Sequence, residues 1–333
     1  MKDTYKDNRT TQRSETKRDT APPRVSVVIP AYNSAQYLGE AVQSIFDQTF
    51  DDYEIIVVDD GSTDNTRNLV ESYGGRVRYV HQENGGASKA RNRGIAEALG
   101  TYIAFLDADD CWEPDKLEKQ VSLLERNPNL GMVFTDAVGF DENGLLPRMG
   151  RKKSLLLDGD VACNIFMYSG VGTPSVMVPR MVFDKVGVFD EQLFLAEDDN
   201  MWIRIAAEYP VQLIDEPLTK VRDHPNRTTR DKSRLFRMIL DNAEVLASKY
   251  GKASDRIMRV LPRKLAQVQF SMGRYCLEEN KYKEARQAFA GGIACDRQFL
   301  KNYLYWALCL LPHWAIQSIR RLKAGVRQVA SPQ

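Results

Sequence analysis

The stretch Phe105-Leu106-Asp107-Ala108-Asp109-Asp110 sets carboxylates at alternate positions just after an apolar, strand-like run, Tyr102 to Leu106. Alternation along an extended segment points Asp107 and Asp109 to the same side. Oxygen ligands of this kind suit Mg²⁺ or Mn²⁺, hard cations that keep waters and bridge to phosphate oxygens when a protein supplies only one or two carboxylates. Two further polar clusters have the same placement. Pro30-Ala31-Tyr32-Asn33 follows Val25 to Ile29, and Asp59-Asp60-Gly61-Ser62-Thr63-Asp64 follows Tyr53 to Val58. Pro30 and Asn33 set a tight exit whose backbone is able to approach a flat base, and Asp60 is able to accept the imide hydrogen of uracil. The plain alternatives are an ordinary turn and helix capping ahead of the segment Asn65 to Ser72; Asp64 is assigned to capping and Asp60 to function.

The elements that must position these clusters are visible in the same pattern. Each is a β-branched run that stops at turn formers and is followed by a helix-like segment. Strand, loop and helix repeated in this way predict an α/β fold with an open, mostly parallel sheet flanked by helices, whose ligands sit outside the carboxyl ends of the strands. The loop Asn84 to Ser88, with Gly85 and Gly86, precedes a helix-like run from Lys89 to Leu99 that carries Arg91 and Arg93. Adjacent glycines at a helix amino terminus offer backbone N–H groups to an anion, although this is no complete phosphate-loop signature. Farther on, Glu197-Asp198-Asp199 begins a helix whose Met201, Trp202 and Ile205 face inward, where negative charge is favourable in any case.

The ordered motifs Pro-Ala-Tyr-Asn, Val-Asp-Asp-Gly-Ser-Thr-Asp, Ala-Arg-Asn-Arg-Gly (Ala90 to Gly94) and Leu-Asp-Ala-Asp-Asp resemble those of a family 2 nucleotide-sugar glycosyltransferase, over roughly Val25 to His224. The resemblance implies a nucleotide-diphospho-sugar transferase fold of the Rossmann-like GT-A type. It also implies an activated sugar donor, Mn²⁺ or Mg²⁺, and inversion at the anomeric carbon. By the same resemblance Pro30, Ala31, Tyr32, Asn33, Asp60, Arg91, Asp107, Ala108 and Arg222 face the donor. Asp107 is then expected on the ribose and Asp109 on the metal, with His224 as a further ligand and Arg222 or Arg227 on the pyrophosphate. The segment reads Arg-Asp-His, one residue shorter than the common form, which leaves Arg222 open. The acidic motif implies a general base within reach of the acceptor hydroxyl. Asp198 is the first choice, with Glu197 and Asp199 as alternatives because the second acid follows without the usual spacer.

The chain has 333 residues, 43% of them hydrophobic, which is enough for one large domain and a smaller appendage. A net charge of +1 argues against a nucleic-acid partner, and five cysteines without metal-type spacing read as reduced, in keeping with a cytosolic protein. Residues 1–23 read as a disordered tail, 24–230 as the catalytic domain and 231–333 as a helical extension. Within 24–230, Gly170 to Ser175 is expected to line the acceptor side, and the basic stretch Arg148 to Lys153 reads as a solvated loop or an acceptor contact. In the extension Gly273, Ala285 and Phe289 have the offsets of a tetratricopeptide helix pair. Beyond them, an apolar and aromatic run from Phe299 to Ile316 gives way to Arg320-Arg321-Leu322-Lys323. This tail reads either as an interfacial helix on the inner face of an anionic membrane or as a helix buried on its own core. The function expected is transfer of sugar from a UDP-sugar to a cell-surface glycan or lipid-linked acceptor. The alternatives are a polyprenyl-phosphate sugar synthase and a non-catalytic sugar-nucleotide-binding scaffold.

Overall fold

The computed structural model describes residues 21–146, 157–193, 196–224, 232–312 and 315. Most of the expected tail 1–23, the basic stretch Arg148 to Lys153, Arg227 and nearly all of the chain after Pro312 lie outside them.

One mixed sheet carries the fold. Its strands are β1 (Val25–Ala31), β2 (Tyr53–Asp59), β3 (Arg78–His81), β4 (Tyr102–Phe105), β5 (Cys111–Trp112), β6 (Met132–Asp141), β7 (Gly144–Leu145), β8 (Val176–Pro179) and β9 (Val211–Arg222). They run in the order β3-β2-β1-β4-β8-β6-β9-β5, with β7 on β6. The half formed by β3, β2, β1 and β4 is parallel, as the repeated strand–loop–helix pattern requires. Beyond β4 the pairing is antiparallel except between β6 and β9, so this half departs from the doubly wound plan.

Strand β1 is buried on both faces. Val27 and Ile29 meet α1 (Leu38–Phe46) and α4 (Lys116–Arg126) on one side, while Val28 meets α3 (Ala87–Glu97) on the other. Close approach of α3 depends on Gly94, because a Cβ there would come within 2.2 Å of the Val28 side chain. On the same face Phe105, Phe183, Phe189 and Trp202 pack edge to face and tilted, at centroid distances of 5.5–6.3 Å.

The connecting helices are α2 (Thr66–Ser72), α5 (Val161–Tyr168), α6 (Met181–Val186) and α7 (Glu197–Glu208), followed by α8 (Lys232–Lys249), α9 (Gly251–Glu278), α10 (Tyr282–Cys295) and α11 (Leu300–Leu308). Ala243, Leu246, Ala253 and Ile257 of α8 and α9 join the core that contains Phe105 and Trp202, so that core runs across the expected boundary near residue 230. Farther along, α9 and α10 form the expected hairpin. Phe289 fills the space that a side chain at Gly273 would occupy, with 2.5 Å from a Cβ to its ring. Helix α11 anchors through buried Asn302, which donates to the Ala266 carbonyl, and through Tyr305 against Phe270 and Phe289.

Candidate active site

The clusters at Asn33, Asp60, Asp107 to Asp110 and Glu197 to Asp199 lie together where the carboxyl ends of β1, β2 and β4 meet the start of α7. The first two loops are stitched together. Asn33, with φ 48°, accepts from the Thr63 and Asp64 amides through Oδ1 at 2.8 and 3.3 Å and donates its own amide to Ser62 Oγ at 2.9 Å. Asp64 accepts from the Ala35 and Thr66 amides and so ties the two loops together, while the N-cap position of the following helix is Asn65, with no side-chain cap bond. Asp60 is buried, and its carboxylate accepts from Gln82 Nε2 at 2.7 Å and from the Gly85 and Gly86 amides, each at 2.8 Å. The glycine N–H groups read as an anion site are therefore already bound to an anion of the chain itself. Pro30 and Ala31 end β1, and Tyr32 after them is 53% exposed.

Arg91, expected to face the donor, is bonded within the chain. It is buried beneath the crevice and bridges two acids, with Nη2 2.9 Å from Asp107 Oδ1 and Nη1 2.6 Å from Glu197 Oε1. This bridge ties the end of β4 to the start of α7. Burial works against its charge, but Asp107 and Glu197 more than offset that, and its pKa is raised. The Asp107 carboxyl, enclosed in the crevice, is pushed up by that enclosure first and then by Asp109, against the pull of Arg91.

Asp109 faces the opening, and its Oδ2 lies 2.9 Å from His224 Nε2, with Ala108 buried behind it. Arg222, left open by the sequence, lies against this loop. Its Nε donates to the Asp109 carbonyl at 2.9 Å, its amide donates to Asp110, and Nη2 pairs with Glu40 at 2.7 Å. It braces the loop Asp109-Asp110 from behind, stacked between Tyr37 and Phe140. Among the described residues no cluster of three or more His, Cys, Asp or Glu converges as a ready metal site. One carboxylate oxygen and one imidazole nitrogen at the mouth fit an ion that takes its remaining ligands from a diphosphate and water.

The three neighbouring acids have separate environments. Glu197 is held by Arg91, and its carboxyl is raised by burial and by Asp198. Asp199 accepts from Ser169 Oγ at 2.6 Å and is pushed up to about 7, by burial first and then by Asp198. Asp198 is half-buried, with Oδ2 3.3 Å from Thr173 Oγ1, so Thr173 of the turn Gly170 to Ser175 does border this side. The residue before the trio, Ala196, is left-handed at φ 63°, and Ser169 opposite is left-handed at φ 50°. Such backbone costs a non-glycine residue about 1–2 kcal/mol and clusters at functional sites. Sequence reasoning missed Ser169 and the left-handed turn at Ala196, whereas Thr173 lies in the segment Gly170 to Ser175 that it singled out.

A mixed sheet with its acidic loops gathered at one edge, beside helices on both faces, defines a nucleotide-sugar transferase fold of the GT-A type. S. aureus TarS in complex with UDP-GlcNAc superimposes with a TM-score of 0.60 at 18% identity, covering 90% of this chain and 92% of that one. Mannosyltransferase PcManGT from Pyrobaculum calidifontis, in complex with GDP-Man and Mn²⁺, gives 0.59 at 21% identity, covering 94% and 89%. These two establish the fold. The sequence model described as Glycosyl transferase family 2 matches residues 26–177, and an uncharacterized glycosyltransferase of Rickettsia typhi is 34% identical over 64% of this chain and 68% of its own length. The chain belongs to glycosyltransferase family 2. The putative teichuronic acid biosynthesis glycosyltransferase TuaG of Bacillus subtilis is 46% identical over 47% of this chain and 63% of its own length. Against a longer glycosyltransferase of Rickettsia felis the chain spans 35% of the relative's length.

Proposed function

We propose that the protein is an inverting, metal-dependent glycosyltransferase that moves a sugar from a UDP-sugar to a hydroxyl of a cell-surface glycan or lipid-linked acceptor. The observation that carries this reading is the pairing, across one crevice, of Asp109 and His224 with an acid trio tied back through Arg91. In this reading Tyr32 and the loop around Asp60 receive the base, and Asp107 receives the ribose. Asp109 and His224 would hold Mn²⁺ or Mg²⁺, which supplies Lewis-acid neutralisation of the departing diphosphate. Asp198 accepts the proton of the attacking hydroxyl. Among the described residues it alone of the three acids has neither an ion pair nor a short hydroxyl contact, since Glu197 is spent on Arg91 and Asp199 on Ser169. The Rickettsia felis and TuaG matches leave part of those proteins uncovered, so the acceptor assignment rests on the chemistry of the site and on the TuaG description.

Release of UDP from UDP-sugars with Mn²⁺, measured beside GDP-, CMP- and TDP-sugars and with lipid-linked saccharide acceptors, tests the reading. Turnover with a UDP-sugar that falls at least tenfold in Asp109→Ala supports it. Nucleotide binding without turnover in any combination would replace it with the scaffold reading.

The membrane part of this reading rests on α11. Leu300, Tyr303, Leu304, Ala307 and Leu311 form an exposed apolar stripe at helical spacing. From Arg297 to Gln333 the sequence holds Arg297, Lys301, Arg320, Arg321, Lys323 and Arg327, with no Asp or Glu. An apolar stripe in an acid-free, cationic segment matches an anionic bilayer surface, where each basic residue near the lipid adds about 1 kcal/mol. No described helix is long and apolar enough to cross a membrane. Wild-type protein should sediment with phosphatidylglycerol vesicles but not with phosphatidylcholine vesicles, and Leu304→Glu should stay in the supernatant. Equal sedimentation of both proteins would remove the membrane from the proposal.

A further inference from the structure

The helical extension reaches the acid trio through one side chain. Asn242 of α8 is buried, donates from Nδ2 to the Ala196 carbonyl at 3.1 Å and accepts from Asn200 Nδ2 at 3.0 Å. Asn200 in turn accepts from Arg204 Nε at 2.9 Å, and Arg204 fixes the Val186 and Val188 carbonyls at 2.9 and 2.7 Å. The chain Asn242–Asn200–Arg204 therefore clamps both ends of the segment Ala196 to Asn200 from inside the protein. Ala196 stands in the left-handed region, which alanine seldom occupies unless its surroundings hold it there. Both polar groups of the Asn242 amide are used on this segment, on a helix face that otherwise buries Ala243 and Leu246. A polar amide at such a position is costly unless it is fully bonded, and here its bonds end on the turn that aims Glu197, Asp198 and Asp199.

We infer that Asn242 is a positioning residue for the acid trio, and that α8 is a working part of the active site. It holds the left-handed turn at Ala196 so that Asp198 meets the acceptor hydroxyl. This rests on the reading of Asp198 as the base, although the clamp itself is testable without turnover.

The experiment compares Asn242→Ala with Leu246→Ala, a buried apolar neighbour on the same helix, in the full chain. Asn242→Ala should lower kcat at least tenfold, leave the KM for the donor within about twofold, and raise amide hydrogen exchange at Asp198 to Asn200 at least tenfold. Leu246→Ala should lower Tm without that selective exchange or that loss of kcat. Adding Ala196→Gly to Asn242→Ala should recover at least threefold of the lost kcat and part of the lost protection, because glycine adopts the left-handed turn without being held. Equal loss in both single variants, or no recovery with Ala196→Gly, would make Asn242 a packing residue only. If wild-type protein transfers no sugar at all, the proposed function falls, while the exchange at Asp198 to Asn200 and its recovery still decide whether Asn242 holds the turn.

Discussion

The two walls of the crevice are built by different means. On the wall that the proposed reading gives to the donor, Asn33 bonds Ser62, Thr63 and Asp64 across 29 to 31 positions, through short loops that follow consecutive parallel strands. On the acid wall, Ala196 to Asp199 is fixed by Arg91 from more than 100 positions upstream, by Ser169 and Thr173 from a separate turn, and by Asn242 from a helix beyond the last strand. One wall is the product of local turn chemistry and strand order, and the other is assembled by tertiary contact. A donor wall of this kind keeps its shape when the rest of the chain varies, whereas the acid wall depends on distant elements being in place.

The sharpest break of that contrast is Asp198→Asn, which should lower kcat by about 10²–10⁴-fold while leaving UDP affinity intact. Glu197→Gln should instead lower Tm more and kcat less, because it strips a buried arginine of one partner. The reverse order in steady-state kinetics would move the base to Glu197. Next is His224→Ala, expected to reduce Mn²⁺-dependent UDP binding by about 10–100-fold in calorimetry if the imidazole is a ligand. Unchanged affinity would leave Asp109 as the lone protein ligand. Gly94→Ala presses α3 into Val28 and should cost about 1–3 kcal/mol in denaturant unfolding, with Arg91 displaced alongside. A further effect is pH-linked. Asp199 rises from 3.8 to about 7 on folding, so the folded state prefers it protonated, and this stability is lost as pH rises through about 7. Asp199→Asn should therefore match wild type in Tm near pH 4 and exceed it near pH 8; an equal gap at both values would mean that the carboxyl does not titrate in this range.

The same contrast explains what the sequence made legible. Strands β1, β2 and β4 and their acidic loops were readable because β-branched runs, turn formers and helix starts lie next to one another in the chain. Asp107, Asp109 and His224 were found by type and position, and the structure brings them to one crevice with Asp198. The duties of Arg91 and Arg222 were not readable, because an arginine's partner is decided by what the fold places beside it. Here Glu197 and Glu40 stand 106 and 182 positions away. The antiparallel half of the sheet was equally hidden, since β8 inserts between β4 and β6 out of chain order. Ser169 and Ala196 carried no signal, for neither residue type announces a left-handed backbone.

The capture of the Gly85 and Gly86 amides by Asp60 has a thermodynamic consequence. A glycine loop that waits for a ligand's phosphate must be frozen at the moment of binding, and the ordering entropy of each residue, about 1–2 kcal/mol, then weakens the complex. Here an internal anion has ordered the loop during folding. In the proposed reading, a nucleotide base docking here would meet a floor already ordered by the chain, and affinity would be set by fit and not by loop closure.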